Sequence, residues 1–78
     1  MKSSNINMSL WNRRLLPYLQ KCSNHVGYTW VGGNLYVVGI STKLLKSAVE
    51  SFRRSNPDIM VTIDIGSSFV VRELRYIY

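Results

Sequence analysis

A chain of 78 residues has room for one domain and one hydrophobic core, with a thin stability margin. Aliphatic and aromatic residues make up 46% and charged residues 18%, which excludes a disordered polyelectrolyte. The formal net charge of +6, from ten Lys and Arg against four Asp and Glu, points to acidic partners.

No apolar run approaches the roughly 20 residues of a bilayer span, and the polar start Met1–Asn5 is unlike a secretory signal. An intracellular, cytoplasmic protein with no membrane partner is expected. Residues 1–8, rich in Ser and Asn, are expected to form a flexible arm, and 9–78 a single α+β domain.

Ser9 is a candidate N-cap for a first helix over about 9–23. Trp11, Leu15, Leu19 and Cys22 recur at helical spacing and build one apolar stripe, with Arg13, Arg14, Gln20 and Lys21 turned away from it. Pro17 lacks an N–H and its ring clashes with the preceding turn, which predicts a break near Leu16.

Residues 27–40 read as a hairpin about Gly32-Gly33, a turn whose two glycines accept positive φ. That turn pairs Val31 with Asn34, Trp30 with Leu35, Thr29 with Tyr36 and Tyr28 with Val37. Alternation then assigns Trp30, Leu35, Tyr28 and Val37 to the core face. Ser41 or Thr42 starts a second helix running to about Ser55, with Leu44, Leu45, Ala48, Val49 and Phe52 as its apolar stripe. Asn56-Pro57-Asp58 stops it.

Ile59, Val61, Ile63 and Ile65 alternate with Met60, Thr62 and Asp64 as a half-buried strand, and Phe69 to about Tyr76 returns after Gly66-Ser67-Ser68. In that last strand Phe69 and Val71 fit one face, yet Glu73 and Arg75 would follow them inward. A bulge near Val71–Glu73 restores the pattern by re-aiming Leu74 and Tyr76. The order is α-ββ-α-ββ: a four-stranded, mostly antiparallel sheet with two helices packed on one face. The buried set is expected to include Leu15, Leu19, Trp30, Leu35, Leu44, Ala48, Phe52, Val61 and Ile63. The fourth strand is expected at an edge, where Leu74, Tyr76, Ile77 and Tyr78 would meet a second copy in a homodimer, or a partner.

Catalytic and metal chemistry have little to work with. Cys22 is the one cysteine and His25 the one histidine, so neither a disulfide nor a four-ligand metal site is expected, and no cofactor. No carboxylate lies near His25 in sequence to orient it as a base. No phosphate loop follows Gly32-Gly33. Ser23-Asn24-His25, the hairpin, and Lys43-Leu44-Leu45-Lys46 leading a helix loosely resemble HicA-type mRNA-interferase toxins. That resemblance implies a double-stranded-RNA-binding-like fold, a ribonuclease activity and a catalytic role for His25. Of the family's Gly-Ser-His-His-like run, only His25 has a counterpart. The family also places three strands before its closing helix, against two here.

Charge along the chain is lopsided. Lys2, Arg13, Arg14, Lys21, Lys43 and Lys46 occupy residues 1–49 without a single acid, while Glu50, Asp58, Asp64 and Glu73 offset Arg53, Arg54, Arg72 and Arg75 later on. A binding surface of Arg13, Arg14, Lys21, Lys43, Lys46 and Tyr36 is therefore expected, directed at an acidic protein surface or at nucleic acid. No RRM, KH or helix-turn-helix signature is present. Size and charge fit a non-enzymatic regulator or inhibitor that binds stoichiometrically, as do the small phage and mobile-element proteins that block host nucleases or CRISPR complexes. A nucleic-acid-binding domain is the alternative reading.

Overall fold

The computed structural model describes residues 5–78, and the architecture is α+β. Helix α1 covers residues 8–22, strands β1 (Gly27–Val31) and β2 (Asn34–Val38) form the hairpin, and α2 runs Thr42–Ser55. Strands β3 (Ile59–Ile65) and β4 (Phe69–Tyr76) complete a sheet of order β1-β2-β4-β3, antiparallel at every pairing. The hairpin register is the one its turn dictates, Val31 with Asn34 through Gly27 with Val38, and Gly32 and Gly33 carry φ of 57° and 82°.

The break expected near Leu16 is present in helix α1 as a change of helix type, with Pro17 at the start of the second piece. The helix starts as a short α-turn, Met8–Leu10, widens into a π-helical stretch, Trp11–Leu15, and resumes as α-helix over Leu16–Cys22. The Leu16 N–H reaches back five residues to the Trp11 carbonyl, so the proline enters just after a wide turn, at the N-terminal end of the new α-segment. The same widening brings residues four apart into line, and Trp11, Leu15 and Leu19 are all fully buried. Cys22, three residues on, leaves that line and is exposed, contrary to the expected stripe. The N-cap is Asn7 and not Ser9: its Oδ1 accepts from the N–H groups of Ser9 (2.9 Å) and Leu10 (3.2 Å).

Residues 1–4 of the expected flexible arm lie outside the described residues. The rest of that arm, Asn5 to Met8, is tied down. Ile6 bridges Leu74 in parallel, the Leu74 N–H donates to the Asn5 carbonyl (2.9 Å), and the Asn7 N–H donates to that of Leu74 (2.6 Å).

Strand β4 is interior, which corrects the expectation of an edge. It pairs with β2 through Phe69–Val71 and with β3 along its whole length, and Leu74 is fully buried. Its bulge lies where the parity argument requires: Ile63 pairs with Val71 and Thr62 with Glu73, leaving Arg72 as the extra residue. Leu74 and Tyr76 are thereby returned to the helical side. The Ile77 N–H is held by the Asp58 carbonyl (3.0 Å), while Tyr78 is fully exposed.

Both helices pack on the face that presents Leu35, Val37, Val71, Leu74, Val61 and Ile59. They run antiparallel to one another, since Arg14 donates to the Asn56 side chain (3.1 Å) and the Tyr18 hydroxyl to Ser51 (2.6 Å). Two expected core residues stay outside. Trp30 is 39% exposed because β1 is an edge strand beyond the helices, and only Tyr28 is reached, by the edge of Trp11 at 5.2 Å. Leu44 is 45% exposed because α1 stops at Cys22, a turn short of covering it. Ile63 is half-buried against the core, which closes on Leu45, Ala48, Val49 and Phe52 of α2.

After β2 the chain passes so close to the start of β1 that a side chain has no room. Gly39 has φ of 81°, and a Cβ there would fall on the His25 carbonyl carbon and oxygen. Gly39→Ala is expected to cost upwards of about 3 kcal/mol, because it combines a left-handed backbone with a backbone clash. Gly66→Ala, whose Cβ meets nothing, serves as the comparison in urea melts. Equal midpoints for the two variants would contradict this account of the β2–α2 connection.

Candidate functional surface

Folding redistributes the charge from halves of the sequence to layers of the molecule. Helix α1 carries Arg13, Arg14 and Lys21, and α2 carries Lys43, Lys46, Arg53 and Arg54, against the single acid Glu50. The helical layer thus has seven cations and one acid, a net of +6. The strands carry Arg72 and Arg75 against Asp64 and Glu73, and these pair with each other: Arg72 with Asp64 at 2.9 Å, Arg75 with Glu73 at 3.3 Å. The sheet is electrically neutral and the helices hold the whole excess.

This corrects the division at residue 49. Asp64 and Glu73 are engaged by arginines of their own sheet, so they do not offset Arg53 and Arg54. Arg53 is committed in another way. Its Nε (3.1 Å) and Nη2 (2.9 Å) both donate to the Val61 carbonyl on the outer side of β3, which closes that sheet edge with a charged side chain. Lys46 lies beside it, in a groove between α2 and β3 that also holds Val49, Glu50 and Ile63.

The expected surface residues are therefore only partly brought together. Arg13, Arg14, Lys21, Lys43 and Lys46 are all exposed on the helical layer. Tyr36 is not with them. It sits half-buried on the opposite, uncovered face of the sheet, beside Val70 and across the pairing from Thr29. There, with Val31 and Val38, it lines a shallow depression of about 420 Å³ that has no cation in its wall. Sequence spacing put Tyr36 outside the core correctly, but gave no means of telling which outside.

Residues that sequence reasoning assigned to the core face join the surface instead: Tyr28, Trp30 and Leu44 are large, exposed and on the helical side. The Trp30–Leu35 and Tyr28–Val37 pairings fix that side for the two rings, because opposed residues in an antiparallel pair share a face. Strand alternation alone could not separate a core position from an overhanging one. The missing signal was the position of β1 in the sheet.

His25 is exposed in the loop before β1 and makes no ion pair among the described residues. The chain also has two strands after α2, which departs from the strand layout that the toxin resemblance implies. Among the described residues no group of His, Cys, Asp and Glu is arranged to hold a metal, and no helix is long and apolar enough to cross a membrane. Comparison of the chain with protein-family models, with curated proteins and with solved structures finds no match.

Proposed function

We infer that this protein is a stoichiometric binding module whose helical layer docks on an acidic surface of another protein, regulating or inhibiting it without a chemical step of its own. The observation that carries this reading is the segregation of charge, a neutral sheet under a helical layer of net +6. Such a field steers encounter with acidic partners. Exposed Trp30, Tyr28 and Leu44 on the same side supply apolar anchors of the kind that dominate protein interfaces. The small phage and mobile-element proteins that cover a host nuclease or CRISPR complex would be functional analogues, by size and charge alone.

Nucleic acid is the second reading, favoured by the same helical cations, which suit phosphates. A base-stacking platform on the open sheet face has less support, since Tyr36 there is remote from the excess charge. The separating experiment is capture by the immobilised chain from a cell extract, with and without nuclease treatment. A protein retained after nuclease treatment and released by salt is the expected result. Loss of all retained material on nuclease treatment would replace this reading with the nucleic-acid one.

A further inference from the structure

The two edges of the sheet are treated differently. On β3, Arg53 occupies the outward carbonyl of Val61 and α2 lies alongside. On β1, Gly27-Tyr28-Thr29-Trp30-Val31, there is no charged residue and no proline, no bulge interrupts its pairing, and four of the five residues are exposed. Natural edge strands usually carry at least one such protective device, and a bare, apolar edge is a template for another strand.

We propose that β1 is a self-pairing edge, joining two copies of this chain into an antiparallel dimer with its two-fold axis at Thr29. The register follows from the hairpin. The two-residue turn makes Val31–Asn34 the closing hydrogen-bonded pair, so alternation directs the backbone groups of Gly27, Thr29 and Val31 toward β2. The N–H and C=O groups of Tyr28 and Trp30 point the other way, off the sheet. Antiparallel pairing about the strand midpoint sets Tyr28 opposite Trp30 of the second copy, and Trp30 opposite its Tyr28. Both outward-pointing residues then exchange hydrogen bonds, and two aromatic cross-strand pairs form on the helical side. The Trp11–Tyr28 contact of each copy is extended by the other's Trp30.

The occupant is a second copy because the strand is complementary to itself in this register and holds no charge to meet an acidic segment. A partner rich in acids finds its cations on the helices, away from this edge. Opposed residues share a face, so the dimer is one eight-stranded sheet with both helical layers on the same side. The basic surface is doubled, with one helical layer on each side of an uncharged aromatic seam. A joint five residues long is small against the roughly 1,600 Å² of a standard interface, which makes the dimer a weak one. Net repulsion between two copies at +6 is screened by salt, so added salt strengthens this association while it weakens binding to an acidic partner. The pairing shares Tyr28 and Trp30 with the partner surface proposed above, but its test reads self-association alone, so failure of one is distinguishable from failure of the other.

Disulfide trapping tests it in the full chain with Cys22→Ser as background. Thr29 and its symmetry mate form a non-hydrogen-bonded pair with Cα atoms about 4.5 Å apart, inside the range a disulfide spans. Thr29→Cys, treated with oxidised glutathione, is expected to give mostly covalent dimer. Val31→Cys, also exposed but opposite Gly27 of the second copy, is expected to stay monomeric under the same treatment. Any other pattern overturns the register. Sedimentation of the unaltered chain from about 10 µM to about 1 mM should follow a monomer–dimer equilibrium that tightens with salt, and a strict monomer throughout would overturn the dimer itself.

Discussion

Phe52→Ala is expected to destabilise the protein by about 3–5 kcal/mol, the cost of emptying a large buried site. Phe52 is 1% exposed at the C-terminal end of the α2 stripe and packs against the Tyr18 ring in an edge-to-face contact at 5.6 Å, so it joins both helices to the sheet. A domain of this length has only about 4–12 kcal/mol to lose. Urea denaturation should show a midpoint lowered by about a quarter or more, or no folded baseline. Leu44→Ala removes a comparable side chain from the same helix but from an exposed position, and is expected to cost less than about 1 kcal/mol. If the two variants melt alike, the assignment of the buried face of α2 is wrong.

Reversing charge on the helical layer is expected to abolish most partner binding while leaving the fold intact. Arg13, Lys21 and Lys43 suit the test because none makes an ion pair or hydrogen bond among the described residues. The triple change to Glu removes the net charge of +6 altogether. Exposed charges contribute little to stability, so melting should shift only slightly. Association with the captured partner should slow by roughly one to two orders of magnitude at low salt, and its salt dependence should flatten. Reversal of Arg72 and Arg75, on the neutral face, is the matched control and should leave the association rate within about threefold. Unchanged binding in a folded Arg13, Lys21, Lys43 variant would remove the helical layer from the interface.

The elements that sequence made legible were those fixed by local physics. The Gly32-Gly33 turn set the hairpin register, the stop at Pro57 ended α2, and the inward parity of Glu73 and Arg75 demanded the bulge at Arg72. Properties that depend on neighbours were not legible. Trp30 and Leu35 obey the same alternation, yet one lies in an edge strand and the other in an interior one. Likewise Leu44 and Leu45 both belong to an apolar stripe, and the length of α1 decides which is covered. The binding surface divided in the same way. Helical spacing exposed Arg13 and Lys43 correctly, whereas grouping Tyr36 with them, and discounting Arg53 and Arg54 because acids follow in the chain, mistook distance along the sequence for distance in space.

The interior place of β4 constrains how the molecule comes to exist. It is the latest in the chain of the four strands, yet it is the one that joins the two halves of the sheet, since β2 and β3 touch only through it. Until residues 69–76 arrive, the first hairpin and the apolar Ile59–Ile65 strand have no common sheet, and the apolar side of α2 has half its floor. Folding must therefore wait for contacts distant in sequence, Leu35 with Val71 and Asn5 with Leu74 among them, which slows it relative to a domain of local hairpins. During synthesis the unfinished chain exposes two strand edges that the finished one hides, a window in which aggregation competes with completion. A premature stop anywhere before Phe69 should yield no smaller folded core, only an insoluble fragment.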